Sequence, residues 1–100
     1  MTESQIQKQI VAYLRASGIT PGVQRFGRRT SIAPGWPDIV FCMKNTRGQS
    51  VPVGLEIKTE KGKLSVAQAN MRVALLKDGW SILVVRSLEE AVDWINRLKR

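Results

Sequence analysis

The chain has 100 residues, of which 43% are hydrophobic and 24% are charged, so its composition is that of a globular domain and not of a disordered segment. Sixteen Lys and Arg residues against eight Asp and Glu residues give a net charge of +8, which favours a polyanionic partner such as nucleic acid over an ordinary solvated basic surface. The absence of histidine and the single cysteine, Cys42, exclude an internal disulfide, the usual zinc-ligand sets and imidazole general bases. Any metal ion would therefore be bound through oxygen.

The amino-terminal segment predicts a helix over residues 3–17. Thr2-Glu3-Ser4-Gln5 matches a capping box, and Ile6, Ile10 and Leu14 follow at helical spacing. Gly18 is typical of the residue after a helix. The same segment has no secretory signal and the longest apolar run, 39–43, is too short to span a membrane, so we expect a soluble, cytoplasmic protein.

The middle of the chain predicts three strands. Residues 23–28 are extended and basic, and a loop with two prolines follows over 30–37. Residues 38–43 and 53–58 are rich in strand formers, and the polar connection 44–50 predicts that they pair as a hairpin.

The remainder predicts helix, strand and helix. Capping boxes at 65–68 and 87–90 begin the helices, and the apolar run 80–86 lies between them as a buried strand. We expect one α/β domain over residues 1–100, with the order αβββαβα and a mixed β-sheet flanked by helices. The side chains expected in the core of this half are Ala67, Met71, Ala74, Leu75, Trp80 and Trp94.

Two acidic residues are predicted to meet at one end of the sheet. If the hairpin turns near residue 47, Asp38 lies opposite Glu56 or Ile57, and Lys58 points to the same face as Glu56. Two carboxylates 4 Å apart repel by about 4 kcal/mol at an effective dielectric of 20. A divalent cation, a shared proton or a salt bridge with Lys58 would relieve this repulsion. In the purely structural alternative, Asp38 caps a turn and Glu56 with Lys58 forms an exposed pair.

Two further polar residues have both a structural and a functional interpretation. Glu3 shares the inward stripe of the first helix with Ile6 and Ile10, so it either interacts with the helix dipole or reaches the Asp38 and Glu56 site. Gln68 caps the second helix, whose start is predicted beside the same end of the sheet.

The segments that contain these residues resemble a known family. Gly35-Trp36-Pro37-Asp38-Ile39, Glu56-Ile57-Lys58 and Gly62-Lys63-Leu64-Ser65-Val66-Ala67-Gln68 are similar to the signature of VRR-Nuc domains, the virus-type replication-repair branch of the PD-(D/E)XK nucleases. The resemblance covers essentially the whole chain and implies a restriction-endonuclease-like αβββαβα core. It further implies a stand-alone enzyme of phage or prophage type, acting in the host cytoplasm if viral.

The resemblance also implies residue roles. Glu3, Asp38, Glu56 and the backbone carbonyl of Ile57 would bind Mg²⁺ or Mn²⁺. Lys58 would position or polarise the attacking water, and Gln68 would orient water or substrate. The implied function is a metal-dependent, structure-selective DNA endonuclease, a homodimeric Holliday-junction-type resolvase that cuts branched DNA. The alternative is a small basic, non-catalytic DNA- or RNA-binding protein on the same fold.

Basic residues near these motifs are the candidate contacts to DNA phosphates. Each of them is alternatively a solvated surface charge. Trp36 is either a base-contacting or a packing residue. The candidates are Arg25, Arg28, Arg29, Lys44, Arg47, Lys61 and Lys63.

Overall fold

The computed structural model describes residues 1–24, 34–59 and 61–100. The predicted order αβββαβα is confirmed, although the first strand ends at Val23 and the rest of the predicted 23–28 strand lies, from residue 25, outside the described residues. The elements are α1 (Glu3–Ala16), β1 (Gly22–Val23), β2 (Ile39–Lys44), β3 (Ser50–Ile57), α2 (Val66–Lys77), β4 (Ser81–Val85) and α3 (Leu88–Leu98).

The four strands form one mixed sheet in the order β1-β2-β3-β4. The first two pairs are antiparallel, and β3 pairs with β4 in parallel through the α2 crossover. The predicted hairpin of β2 and β3 is confirmed, with Ile39 opposite Leu55 at one end and Lys44 opposite Ser50 at the other.

The turn between β2 and β3 sets this register. The Asn45 side-chain oxygen accepts hydrogen bonds from the backbone N–H groups of Arg47 and Gln49, both at 3.0 Å, and Gly48 adopts a φ of +76°. Because this turn is tight, β3 begins at Ser50, three residues before the predicted start of that strand.

The main core lies between the sheet and the two helices α1 and α3. Side chains alternate along the strands, so Ile39, Leu55 and Ile57 point into this core with Ile10 and Ile95, and all five are fully buried. The even-numbered residues of β3, including Glu56, lie on the opposite face, where α2 packs against β4 and Gln68 contacts Glu56. This alternation is the one predicted for Leu55, Glu56 and Ile57.

The predicted core of the second half is only partly correct. In α2 only Leu75 is buried; Met71 is half-buried, while Ala67 and Ala74 are exposed. Apolar spacing alone does not show which side of a helix another element covers, and α2 has apolar residues all round.

Two tryptophans predicted in the core also differ from expectation. Trp80 is half-buried and packs edge-on against Trp36, with ring centroids 6.0 Å apart, so Trp36 is a packing residue here. Trp94 is 36% exposed, and the Arg97 guanidinium lies 5.0 Å from its ring centroid. A cation–π contact at the surface replaces the predicted burial.

All three helices begin at the same end of the sheet. We call this the carboxylate end, because Asp38 and Glu56 lie there, and the opposite end, with the Asn45–Gln49 turn, the hairpin end. Gln7 of α1 and Gln68 of α2 hydrogen-bond to groups at the carboxylate end, and the carbonyl oxygen of Lys99, which caps α3, accepts from Thr46 at the hairpin end. None of the helices in the described ranges is long and apolar enough to cross a bilayer.

Candidate functional site

Asp38 and Glu56 form a buried acidic pair at the carboxylate end. The β2–β3 register, continued one residue past Ile39 and Leu55, places Asp38 across from Glu56, and the two residues are 8% and 3% exposed. The backbone N–H of Ile57 donates to Oδ2 of Asp38 at 2.8 Å. The structure thus brings together the two acids that the hairpin register predicts.

Burial raises the pKa of both carboxyl groups above the ordinary values. Burial, followed by the negative charge of Asp38, raises the pKa of Glu56 to about 8. Burial also raises the pKa of Asp38 above its ordinary value, although the Ile57 N–H and the positive charge of Lys58 lower it. Without a bound cation, both carboxyl groups therefore take up a proton more readily than surface acids do.

Gln68 caps α2 and also contacts the acidic pair. Its side-chain oxygen accepts from the Ser65 N–H at 2.9 Å while the Ser65 hydroxyl accepts from the Gln68 N–H, which completes the capping box of α2. Its side-chain nitrogen donates to Oε1 of Glu56 at 2.6 Å. The helix cap therefore also fixes the amide against the buried acid.

Lys58 follows the acidic pair directly and is half-buried. Its backbone N–H donates to Val85 in β4, which extends the parallel pairing by one step. A Cβ on Gly62 would lie 3.3 Å from both Cβ and Cδ of Lys58, so the glycine lets the loop pack against the lysine stem. Arg86 donates to the carbonyl oxygens of Thr59 and Gly62 and holds this loop in place.

The loop that leads into Asp38 packs against the start of α2. Gly35 has a φ of +93°, and a Cβ there would lie 2.2 Å from the carbonyl oxygen of Ala67. Pro37 lies over Gly54 of β3, where a Cβ would be 2.6 Å from the proline ring. Glycine at these two positions lets the loop before Asp38 pack closely against the start of α2 and against β3.

Glu3 lies near the acidic pair without joining it. Its negative charge adds to the raised pKa values of Asp38 and Glu56, but it is partly exposed at the first residue of α1. Within residues 1–24, 34–59 and 61–100, no three acidic, histidine or cysteine side chains gather closely enough to hold one ion. The predicted metal role of Glu3 therefore stays a prediction.

Gln7 is a residue of this region that the sequence did not single out. It is buried on α1, and its side-chain nitrogen donates to the carbonyl oxygens of Gln24, at 2.7 Å, and of Asp38, at 3.4 Å. A polar residue within the apolar stripe of Ile6 and Ile10 was the available signal. Gln7 connects α1 to the backbone of the site.

The predicted DNA contacts fall into three groups. Lys61 and Lys63 are exposed in the loop after Lys58, close to the acidic pair. Lys44 and Arg47 are exposed at the hairpin end, about 20 Å from Asp38 at roughly 3.3 Å per strand residue. The remaining three candidates, Arg25, Arg28 and Arg29, lie outside the described residues.

The donor set of this site fits a hard divalent cation. Asp38 and Glu56 offer carboxylate oxygens, and burial raises the pKa of both, so a bound cation would favour their ionised forms. The positive charge of Lys58 lowers the pKa of both acids, but the effect of burial is larger and both pKa values stay raised. The residues present therefore suit Mg²⁺ or Mn²⁺ better than a softer metal.

Comparison with solved structures shows which fold this is. One structure, described as "VRR_NUC domain", is 24% identical, with a TM-score of 0.70 over 94% of this chain and 94% of its own. The chain has the VRR_NUC fold. A second, "VRR_NUC domain protein", is 16% identical, with a TM-score of 0.75 over 96% of this chain and 86% of its own. The predicted resemblance is thus confirmed at the level of the fold, whereas the sequence matches no family model and no curated protein.

Proposed function

We propose that this protein is a VRR-Nuc-type, metal-dependent DNA endonuclease that hydrolyses phosphodiester bonds at the carboxylate end. The observation that supports this most is the burial of Asp38 and Glu56 across from each other, with Lys58 two residues after Glu56. A buried pair of like charges is costly for stability, and it is typical of sites that bind a cation. The VRR_NUC fold of the whole chain supports the same function.

Asp38, Glu56 and the carbonyl of Ile57 would hold Mg²⁺ or Mn²⁺, and Glu3 is the candidate fourth ligand. When bound, such an ion lowers the pKa of water and neutralises charge on the phosphate. The chain's own groups prepare the ligands: the Ile57 N–H orients Asp38, and the Gln68 amide orients Glu56.

Lys58 supplies the second positive charge of the proposed reaction. Its ammonium group would position the attacking water or stabilise the phosphate oxygens, since it lies on the same face of the chain as Glu56. The amino-terminal ends of α1, α2 and α3 lie at this end of the sheet and add a positive potential, which favours a phosphate there.

We further propose that the enzyme acts as a homodimer on branched DNA, with a four-way junction as substrate. One helix face supports a dimer: Val66 and Val73 of α2 are 79% and 69% exposed on the side opposite Leu75, and Leu76, which is 46% exposed, lies one turn after Val73 beside them. A second copy would cover this stripe and bring a second site to a second strand. Sedimentation should show a dimer that Val73→Lys converts to monomer; a wild-type monomer contradicts it.

A non-catalytic nucleic-acid-binding protein is the second candidate. The absence of a three-ligand cluster among the described residues favours it. In that case the Asp38 and Gln68 hydrogen bonds serve only to hold the loop, β3 and α2 together.

A cleavage assay separates the two candidates. Four-way, flap and linear duplex DNA are incubated with the protein in Mg²⁺, Mn²⁺ or EDTA, and the products are separated on a denaturing gel. We expect cleavage of the branched DNA that needs the cation and is absent in Asp38→Asn and Glu56→Gln. The control Glu89→Gln removes an exposed acid of α3 and should cleave normally. Binding without cleavage by the wild type would favour the second candidate, and equal cleavage of linear duplex would remove the preference for branches.

A further inference from the structure

A cleft of about 480 Å³ lies between α1 and the edge strand β1. Lys8 and Arg15 line it together with the apolar side chains of Val11, Ala12 and Val23. We propose that this cleft binds the sugar-phosphate backbone of the DNA strand that runs from the carboxylate end along α1. This inference rests on the proposed function, because it assigns the path of that site's substrate.

The charge of the cleft matches this occupant. Lys8 and Arg15 are both exposed and cationic, and none of the described residues that line the cleft is acidic. Apolar side chains between two cations suit the sugar groups between phosphates.

The spacing of the two cations also fits a single strand of DNA. Lys8 and Arg15 lie two turns apart on the same side of α1, which is about 10 Å along the helix axis. Phosphates of one strand in a duplex recur about every 3.4 Å along its axis, so the two side chains would contact phosphates about three nucleotides apart.

The cleft adjoins the backbone of the candidate active site through one side chain. Gln7 lines it, and the same side chain donates to the carbonyl oxygen of Asp38. In the sheet formed by the described residues β1 is an edge strand, and Val23 is 40% exposed. A DNA strand bound at the carboxylate end would therefore run along α1 beside this edge.

A second cleft at the hairpin end fits a phosphate backbone less well. It has a volume of about 580 Å³ and is lined by Lys44 and Lys99. The carboxyl-terminal ends of α1 and α3 border it through Ser17 and Lys99, and their partial negative charge opposes an anion.

The test is a binding measurement in EDTA, so that no DNA is cleaved. The affinity of labelled single-stranded and duplex DNA is measured by fluorescence anisotropy at several salt concentrations for the wild type and for Lys8→Gln/Arg15→Gln. The loss of two phosphate contacts should weaken binding roughly 25- to 60-fold near 0.1 M salt and reduce the slope of log affinity against log salt by about 1.4 to 1.8. Both positions are exposed, so an unchanged circular dichroism spectrum and melting temperature are expected.

A matched control removes the same charge elsewhere. Lys99→Gln/Arg100→Gln lowers the net charge equally but lies at the hairpin end, and we expect no more than about a threefold loss from the weaker overall field. An equal loss in both double variants would overturn the proposal, because net charge alone would then explain binding. Unchanged DNA affinity in Lys8→Gln/Arg15→Gln would also overturn it. So would a result in which this variant binds labelled polyglutamate more weakly than the wild type does but binds DNA equally well. This binding measurement needs neither a metal ion nor cleavage. Its result can therefore be interpreted even if the cleavage assay shows no activity.

Discussion

The two ends of the β2–β3 hairpin differ in how their polar groups are satisfied. At the hairpin end, Asn45 accepts two backbone N–H groups in an exposed turn, and no buried charge is present among the described residues there. At the carboxylate end, the same pairing brings Asp38 and Glu56 together out of water, where burial raises the pKa of both and the charge of Asp38 raises the pKa of Glu56 further. At the hairpin end the polar groups are hydrogen-bonded and exposed, so they do not destabilise the fold. At the carboxylate end the buried carboxyl groups destabilise the fold when they are ionised, and a bound cation would offset this.

The largest effect that this comparison predicts is on cleavage. Glu56→Gln keeps the size of the side chain and an oxygen that accepts the hydrogen bond from Gln68. It removes a negative charge from the proposed ion site. Cleavage should fall by at least about 10²–10³-fold, the range for loss of one group that stabilises charge in a transition state. Initial cleavage rates at saturating Mn²⁺ measure this. The same rates in Glu89→Gln should match the wild type; an active Glu56→Gln would contradict the comparison.

Two glycines with positive φ allow the two ends to be compared directly for stability. Gly35→Ala combines a strained φ with a Cβ 2.2 Å from Ala67, whereas Gly48→Ala has a φ of +76° and nothing within 4 Å of the new Cβ. We expect a loss of about 1–2 kcal/mol in the free energy of unfolding for Gly48→Ala, from strain alone. Gly35→Ala should lose clearly more, because α2 must shift.

Urea unfolding of both alanine variants beside the wild type measures this difference. Equal losses would mean that the loop before Asp38 moves away from α2 without cost. That outcome would weaken the account in which Gly35 lets this loop pack closely against the start of α2.

The acidic pair also predicts how stability depends on pH without a cation. The folded-state pKa of Glu56, about 8, is above the ordinary value of 4.5, so the folded protein binds the proton more tightly than the unfolded chain. The stabilisation is complete below pH 4.5 and is lost as the pH rises toward 8. One pKa unit is about 1.4 kcal/mol, so the total effect is at most about 5 kcal/mol.

This dependence is measured as the free energy of unfolding in EDTA between pH 5 and 8, where we expect a decline that Glu56→Gln lacks. Added Mg²⁺ should restore stability most at the upper end of that range, because the ion takes the place of the proton. A wild-type curve that rises over this range would show that the pair is ionised without a cation.

The smallest predicted effect concerns the loop against Lys58. Gly62→Ala puts a methyl group 3.3 Å from Cβ and Cδ of the lysine, a contact that a slight shift of the stem would relieve. The free energy of unfolding should change by less than about 1 kcal/mol, while the displaced ammonium group slows cleavage by roughly tenfold. Cleavage rates and unfolding curves measured together test this, and a stability loss with unchanged cleavage would argue against a positioning role for Gly62.

Much of this architecture follows from local sequence rules. The capping boxes at Thr2 and Ser65 are present as predicted, because each needs only a hydroxyl and a glutamine three residues later. The turn position predicted Asp38 opposite Glu56 or Ile57, and the observed register selects Glu56. The third predicted capping box is present in one direction, with the Ser87 hydroxyl accepting from the Glu90 N–H.

The features that were not predicted depend on contacts between distant segments. The exposure of Trp94 and of most of α2 depends on which elements cover them, and periodicity does not contain that information. The bonds from Gln7 to the backbone of Gln24 and Asp38 need the placement of α1 on the sheet. The distance of Glu3 from the acidic pair depends on the same placement.

The most direct test of the central claim is isothermal titration calorimetry at pH 7, in which Mn²⁺ is added to the metal-free protein. The wild type, Asp38→Asn and Glu56→Gln are compared. The account predicts that the wild type binds Mn²⁺ and that each substitution weakens this binding by at least tenfold, while Glu89→Gln binds as the wild type does. No binding by the wild type, or equal binding in Asp38→Asn and Glu56→Gln, would contradict the claim that these two buried carboxyl groups hold a divalent cation.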